Sequence, residues 1–240
     1  MRGAWPRTAV QSTSDLTAAA SDLIRYNSPV DTGGSLREAS RRAVRSQMAA
    51  SAEALFIAKG FEETTVDEIA AAVGISQRTF FRYFASKDDV ILDNLDRLAE
   101  DLLAAVAASP VDEPEWDSIH RAFGVIVERL ADRERREHGA AVHRIIEDSP
   151  HLLAAYLQRL DGIQQRLTDR LLDRAAANGS DSDRIVTRAL VGSAFACLHA
   201  AMSHLAAGGD PAQFERHLDQ AMTALRPALP SRIPKQTPRP

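Results

Sequence analysis

Apolar residues recur along most of this chain at intervals of three and four, the spacing that lines one face of an α-helix. Runs that alternate apolar and polar residues are almost absent. Val44, Met48, Ala52, Leu55 and Phe56 mark a helix over about 36–59, opened by a Ser35/Glu38 capping box and stopped by Gly60. Thr65 and Glu68 form a second box, so a helix starts at Val66 and carries Ile69, Ala70 and Val73 on one face. Gly74 ends it, because glycine enters a left-handed turn without steric cost. Ile75 is the buried residue of that turn. Ser76 caps a third helix, from Gln77 to Phe84, with Phe80 and Phe84 one turn apart on its inward side. Ser86 and Asp89 then cap a long helix that carries Val90, Leu92, Leu95, Leu98, Leu102 and Val106 to Ser109-Pro110.

Proline and glycine punctuate the second half. The pattern predicts helices over about 114–132 (Ile119, Phe123, Ile126, Val127, Leu130) and about 139–147 (Val142, Ile145, Ile146), separated by a charged, solvated corner at Asp132–Glu137. Ser149-Pro150 is an N-cap and first-turn pair for a long helix to about 177, closed by Asn178-Gly179. Another helix runs from Asp181 or Ser182 to about 207, before Gly208-Gly209. Asp210-Pro211 opens the last, with Phe214, Leu218, Ala221, Met222 and Leu225. The fold class is therefore all-α: an N-terminal three-helix unit with a helix-turn-helix, then a helical bundle. Its expected divisions are an arm at 1–34, the helix-turn-helix domain at 35–86, the bundle at 87–226 and a proline-rich tail at 227–240. Arm and tail lack a sustained amphipathic period and are expected to be disordered.

Composition agrees with an all-α chain and narrows the chemistry. Of the residues, 45% are hydrophobic but only 5% aromatic, the balance of an alanine- and leucine-rich bundle. No stretch reads as a membrane span or secretory signal. The single cysteine, Cys197, excludes an internal disulfide framework and suits a cytoplasmic protein. His199 and His204 are off the i, i+4 face that ligand pairs use, and no HExxH, CxxC or paired-carboxylate helix accompanies them. No metal or cofactor is expected, and an all-α enzyme is a remote alternative. The net charge of −4 is unusual for a nucleic-acid binder, yet residues 36–90 hold eight basic and eight acidic side chains. Local clusters, Arg37/Arg41/Arg42/Arg45 and Arg78/Arg82/Lys87, set the attraction for phosphate rather than the total.

Two short helices joined by a glycine turn make a helix-turn-helix, whose second helix can enter a DNA major groove. That helix interleaves Phe80 and Phe84 with Gln77, Arg78, Thr79, Phe81, Arg82 and Tyr83. Gln and Arg carry the donor and acceptor pairs that read base edges, and hydroxyls and amines suit phosphate. Lys87 sits at the start of the next helix, beside any phosphate docked there. The stretch GFEETTVDEIAAAVGISQRTFFRYFASK, Gly60 to Lys87, resembles the signature of the TetR family of transcriptional regulators almost continuously. The resemblance implies that Thr65 and Lys87 contact phosphate, with Ser76 capping the reading helix. Gln77, Arg78 and Thr79 then reach base edges, and Phe81 and Tyr83 lie against the DNA backbone and thymine methyls. Family members often have tyrosine where this chain has Phe81, which removes one phosphate hydrogen bond.

The helix near 185–205 is apolar nearly all round and also carries small residues, Gly192, Ala196 and Ala200. Either it is the centre of a large core or one side meets a partner chain. A homodimer over a palindromic operator favours the second, with an interface on this helix and the last one (Phe214, Leu218, Met222). Phe123, His143, Tyr156, Phe195, His199 and Met202 suit an apolar pocket with a few polar groups, or simply fill the core. The family resemblance implies an effector pocket there, and the EDSPHLLAAYLQRL stretch loosely resembles the branch that binds acyl-CoA-like ligands. The expected function is a ligand-released repressor. The alternative is a constitutive dimeric DNA-binding protein whose second domain only dimerises.

Overall fold

The helix-turn-helix and the long α-helix from Pro150 end where the sequence supplies a capping side chain or a glycine turn. In the computed structural model, residues 33–227 are described, apart from 111, 181 and 207 and the side chains of 33–36 and 38. Among them there is no strand. The first helix, α1, spans Gly33–Lys59 and so begins within the stretch read as an arm. The rest of that arm, the side-chain pairing of the Ser35/Glu38 box, the Asp181 cap and the tail beyond 227 lie outside the described residues. Contacts cluster into two units, Met1–Arg45 and Ser46–Pro240. The first contributes the opening turns of α1.

There, α2 (Val66–Val73) and α3 (Gln77–Phe80) form the helix-turn-helix, followed by α4 (Lys87–Ile91) and α5 (Asp93–Ala107). The reading helix is a single α-turn. The expected continuation to Phe84 is a set of tight turns, with Arg82 N–H on the Thr79 carbonyl at 3.2 Å and Tyr83 N–H on that of Phe80 at 2.8 Å. The helix expected without a break over 87–107 is jointed at Leu92, where an i→i+3 bond, Leu95 N–H to Leu92 carbonyl at 3.0 Å, tightens the turn.

The helix expected over 114–132 is likewise two, α6 (Glu115–Ala122) and α7 (Gly124–Ala131). At the joint the Phe123 N–H is shared between the carbonyls of Ile119 and His120, at 3.0 and 3.1 Å. α8 (Arg133–Asp148) begins six residues before the expected 139. The charged run is helix rather than a corner, because Asp132 caps the Arg135 N–H at 3.1 Å and Arg133 pairs with Glu137 at 2.7 Å one turn on. α9 (Pro150–Ala177) has its Ser149 cap and its stop at Asn178-Gly179 as read from the sequence. α10 (Arg184–Ala206) starts after Asp183, whose carboxylate accepts the N–H groups of Ile185 and Val186 at 2.7 and 3.1 Å. A 3₁₀ turn at Pro211–Gln213 leads into α11 (Phe214–Ala224), which stops short of an exposed Leu225.

The core lies among α5, α6, α9, α10 and α11. Leu102, Val106, Trp116, Ile119, Phe123, Leu167, Val191, Phe214 and Leu218 are all buried in it. Trp116 donates its indole N–H to the Met222 carbonyl at 3.2 Å, which ties α6 to α11. α1 packs through Met48, Ala49, Ala52 and Phe56. Burying a leucine or phenylalanine in such a place stabilises by about 1.5–3 kcal/mol.

Candidate nucleic-acid interface

The helix-turn-helix is built as its caps dictate. The Thr65 hydroxyl accepts the Glu68 N–H at 3.2 Å, and the Glu68 carboxylate accepts the Thr65 N–H at 2.9 Å. The Glu68 carboxylate also accepts a hydrogen bond from the Lys59 ammonium. That hydrogen bond and the Thr65 N–H hold its carboxyl at about 2, against an ordinary 4.5. Gly74 sits at φ +73° and passes the chain to Ile75, whose N–H returns to the Ala70 carbonyl at 3.0 Å. Ser76 caps α3 by accepting the Thr79 N–H at 3.1 Å, and the two hydroxyls pair at 2.9 Å.

Phe80 and Phe84 are buried with ring centroids 5.7 Å apart and anchor this segment from within. Their burial turns the opposite side outward. Ser76, Gln77, Arg78, Phe81 and Arg82 are exposed, with Thr79 and Tyr83 half-buried. Phe81 is half exposed, at 50%, an unusual position for a phenylalanine. The Arg82 guanidinium lies 5.4 Å from the Tyr83 ring centre. The side chains of Gln77 and Arg78 have no hydrogen-bond or ion-pair partner among the described residues. Thr65 is exposed at the start of α2, and the exposed side chains of 76–82 stand together on the segment that follows the turn. The Lys87 ammonium donates to the carbonyls of Phe61 and Thr64, just before Thr65, at 2.6 and 3.2 Å.

Polar links with no local signature join this unit to the C-terminal helices. His138 on α8 pairs with the buried Glu53 of α1 at 2.6 Å, and His151 on α9 pairs with Asp88 of α4 at 2.6 Å. Arg159 on α9 reaches both Asp89 and Asp96. These partners are 63 to 85 positions apart in the chain, beyond any spacing rule.

The six residues expected to line a pocket are dispersed. Phe123 and Phe195 meet edge to face at 5.4 Å in the core. His143 and Tyr156 meet at 5.5 Å elsewhere, and burial with the Glu147 charge pushes the Tyr156 phenol up. His199 is exposed beside Ser203, and Met202 is exposed on α10. Two open clefts, of about 480 and 360 Å3, lie along α9 and involve none of the six.

The residues expected at a dimer interface also divide. Ala196 and Ala200 lie on the outer side of α10, whereas Gly192 is half-buried, with a Cβ built there 3.8 Å from Oε1 of Gln164 on α9. Phe214, Leu218 and Met222 are buried in the chain's own core, because a single i, i+4, i+8 stripe on α11 faces inward. Only 28% of the most apolar part of α10 is buried, and by length and composition this helix is sufficient to cross a membrane. Cys197 lies on its inner side, where burial pushes the thiol up. No cluster of His, Cys, Asp or Glu fit to hold a metal occurs among the described residues.

An all-α chain with a capped helix-turn-helix ahead of a larger helical domain defines a DNA-binding transcriptional regulator. Residues 49–93 match the model for bacterial regulatory proteins of the tetR family, and residues 113–230 match that for the MftR C-terminal domain. The HTH-type transcriptional regulator TcmR of Streptomyces glaucescens is 34% identical over 204 residues, 82% of this chain and 89% of TcmR. The EthR regulator of Mycobacterium tuberculosis is 28% identical over 53% of this chain and 61% of its own. Among solved structures, the SmeT–triclosan complex has the same fold, with a TM-score of 0.50 and 20% identity over 82% of this chain and all of that one. The chain belongs to the TetR family of bacterial transcriptional regulators.

Proposed function

We propose that this regulator is a homodimeric repressor that binds a palindromic DNA operator and leaves it when a small apolar ligand binds the C-terminal helices. The observation that carries the DNA-binding part is the pair Gln77 and Arg78. They sit side by side at the exposed start of the capped α3, with polar tips that meet no partner among the described residues. Side chains of this type, held by buried Phe80 and Phe84, are poised for base edges in the major groove. Thr65, Ser76, Thr79, Phe81, Arg82 and Tyr83 surround them as backbone and methyl contacts. The functional division places DNA binding in 35–86 and ligand binding with dimerisation in 87–226, and a DNA target fits a cytoplasmic protein.

The outer side of α10 supports the dimer. Ala189, Ser193, Ala196, Ala200 and Ser203 are small and exposed, so a second helix approaches closely there. Half-sites about 34–36 Å apart in successive major grooves then fit a two-fold dimer. For the ligand, an apolar molecule, acyl-CoA-like or otherwise, is the reading consistent with family membership. It must bind the non-docking arrangement more tightly than the docking one, since equal affinity shifts nothing. Tenfold release needs about 1.4 kcal/mol of such difference.

A second reading, a constitutive dimeric DNA-binding protein, is favoured by the dispersal of Phe123, His143, Tyr156, Phe195, His199 and Met202 over separate places. The experiment that tests both is selection of bound sequences from random duplex DNA, followed by titration of the selected site with hits from a thermal-shift screen of acyl-CoAs, fatty acids and drug-like cations. Enrichment of a palindrome and its release by a hit are expected. No enrichment overturns the DNA-binding reading. A ligand that saturates the protein and leaves operator affinity unchanged leaves the constitutive reading.

A further inference from the structure

Between the reading segment and α4 the chain passes through the exposed Ala85, which follows the buried Phe84. Its N–H donates to Oδ2 of Asp89 at 3.1 Å, and the Asp89 N–H donates to Ser86 Oγ at 3.1 Å. The Asp89 carboxylate thus folds back over the end of the reading segment. Its other oxygen, Oδ1, accepts from Nη2 of Arg159, which projects from the middle of α9. The second prong of the same guanidinium, Nη1, donates to Oδ2 of Asp96 on α5 at 2.5 Å. One side chain of the C-terminal domain therefore grips both sides of the Leu92 joint and reaches the last residues of the reading segment through a single carboxylate.

We propose that Arg159 is a positioning residue for operator binding, holding the reading segment in its docking orientation through Asp89 and the Ala85 N–H. The requirement is for a planar fork with two donors, which arginine supplies and lysine does not. The pair lies in the open cleft of about 480 Å3 along α9. Arg159 and Asp89 keep 25% and 27% of their side-chain surface, so solvent screens them and they contribute little to overall stability. What they fix is direction. Without the fork, the Ala85 end samples more orientations, of which few dock both half-sites, and apparent affinity falls by the fraction that remains competent.

The inference rests on the reading of residues 77–83 as the DNA-facing segment. The test uses the full chain and the duplex that the wild-type protein selects from random DNA. Arg159→Ala and Asp89→Asn each lower affinity for that duplex by about tenfold. Affinity for random DNA changes little, and so does the melting temperature. The two substitutions change net charge in opposite directions, so a loss common to both cannot come from long-range attraction. The double variant is no weaker than the weaker single one, because both remove the same link. The Ala85 amide loses protection from hydrogen exchange in each. Arg159→Lys, which keeps charge and stem, shows the same loss in smaller measure and serves if the alanine variant does not fold.

If the singles bind the selected duplex as wild type does, or bind it more tightly, the positioning role is wrong while the reading segment stands. Single losses that multiply in the double variant overturn it as well. If the wild-type protein selects no sequence at all, the DNA-facing reading fails first and this inference with it.

Discussion

The ammonium of Lys87 lies 4.2 Å from the ring centre of Phe61 and donates to the Phe61 carbonyl oxygen at 2.6 Å. The Thr64 carbonyl takes a second bond at 3.2 Å, and the buried Thr64 hydroxyl closes the same loop on the Gly60 carbonyl at 2.7 Å. Lysine at the start of α4 thus braces the loop that precedes α2. Charge-assisted bonds of this kind are worth about 1.5–3 kcal/mol each way of losing them. We expect Lys87→Met to lower stability by about that amount in denaturant unfolding, while the salt dependence of DNA binding keeps its slope. A slope reduced by about one ion instead assigns Lys87 to a phosphate.

Arg78→Ala is expected to act in the opposite way. Its guanidinium has no partner to lose within the chain among the described residues, so unfolding is unchanged within about 0.5 kcal/mol. Specific DNA binding falls by about 1–3 kcal/mol if it pairs with a guanine. Equal loss on random and selected DNA is the outcome that removes Arg78 from base reading.

Gly74 offers a clean measurement of backbone strain. Its φ is +73°, and a Cβ built there meets nothing within 4 Å. Gly74→Ala therefore adds strain without a clash and costs about 1–2 kcal/mol. Asn, which tolerates this region better, costs less. An alanine variant as stable as wild type refutes the strain.

The Glu68 carboxyl, held at about 2 by Lys59 and Thr65, gives a pH dependence with a definite sign. The unfolded chain binds the proton near 4.5, the folded chain only near 2. Its contribution is present above about 4.5 and is lost as pH falls toward 2. Glu68→Gln should lower the melting temperature at neutral pH, where that contribution is present, and flatten its fall across the acid window. A variant with the wild-type acid profile shows that the pair with Lys59 does not form in solution.

Ala200→Arg places a charge on the small outer side of α10. If a second subunit covers that side, the buried unpaired charge costs about 3–5 kcal/mol. Sedimentation at micromolar concentration then detects monomer. Persistence of the dimer moves the interface elsewhere.

Much of this fold was legible because its signals are local. The Thr65/Glu68 box, the Gly74 turn and the Ser149-Pro150 start are each fixed by residues within four positions, and each stands where the pattern put it. The joints at Leu92 and Phe123 were not legible, since a shift from i→i+4 to i→i+3 bonding leaves the apolar spacing almost unaltered. The charged helix start at Arg133 was hidden by the absence of apolar residues, although Arg and Glu are good helix formers. On α11 the inward stripe of Phe214, Leu218 and Met222 was correct as a stripe. Which body it faces depends on α6 and α10, far away in sequence. The cap and the buried Phe80 and Phe84 of the candidate reading segment were legible in the sequence, but the bonds of Lys87 were not. A side chain with three donors goes where carbonyls are offered, and those of Phe61 and Thr64 are set by the fold.

The burial of Cys197 makes the chain well suited to optical measurement. It is the only thiol in 240 residues, and its position on the inner side of α10 keeps it in the protonated, unreactive form. A maleimide dye applied to the native protein is therefore expected to leave it unlabelled. One cysteine introduced at the exposed Ala85 then carries the whole signal, so movement of the reading segment can be followed by fluorescence without first removing a native residue.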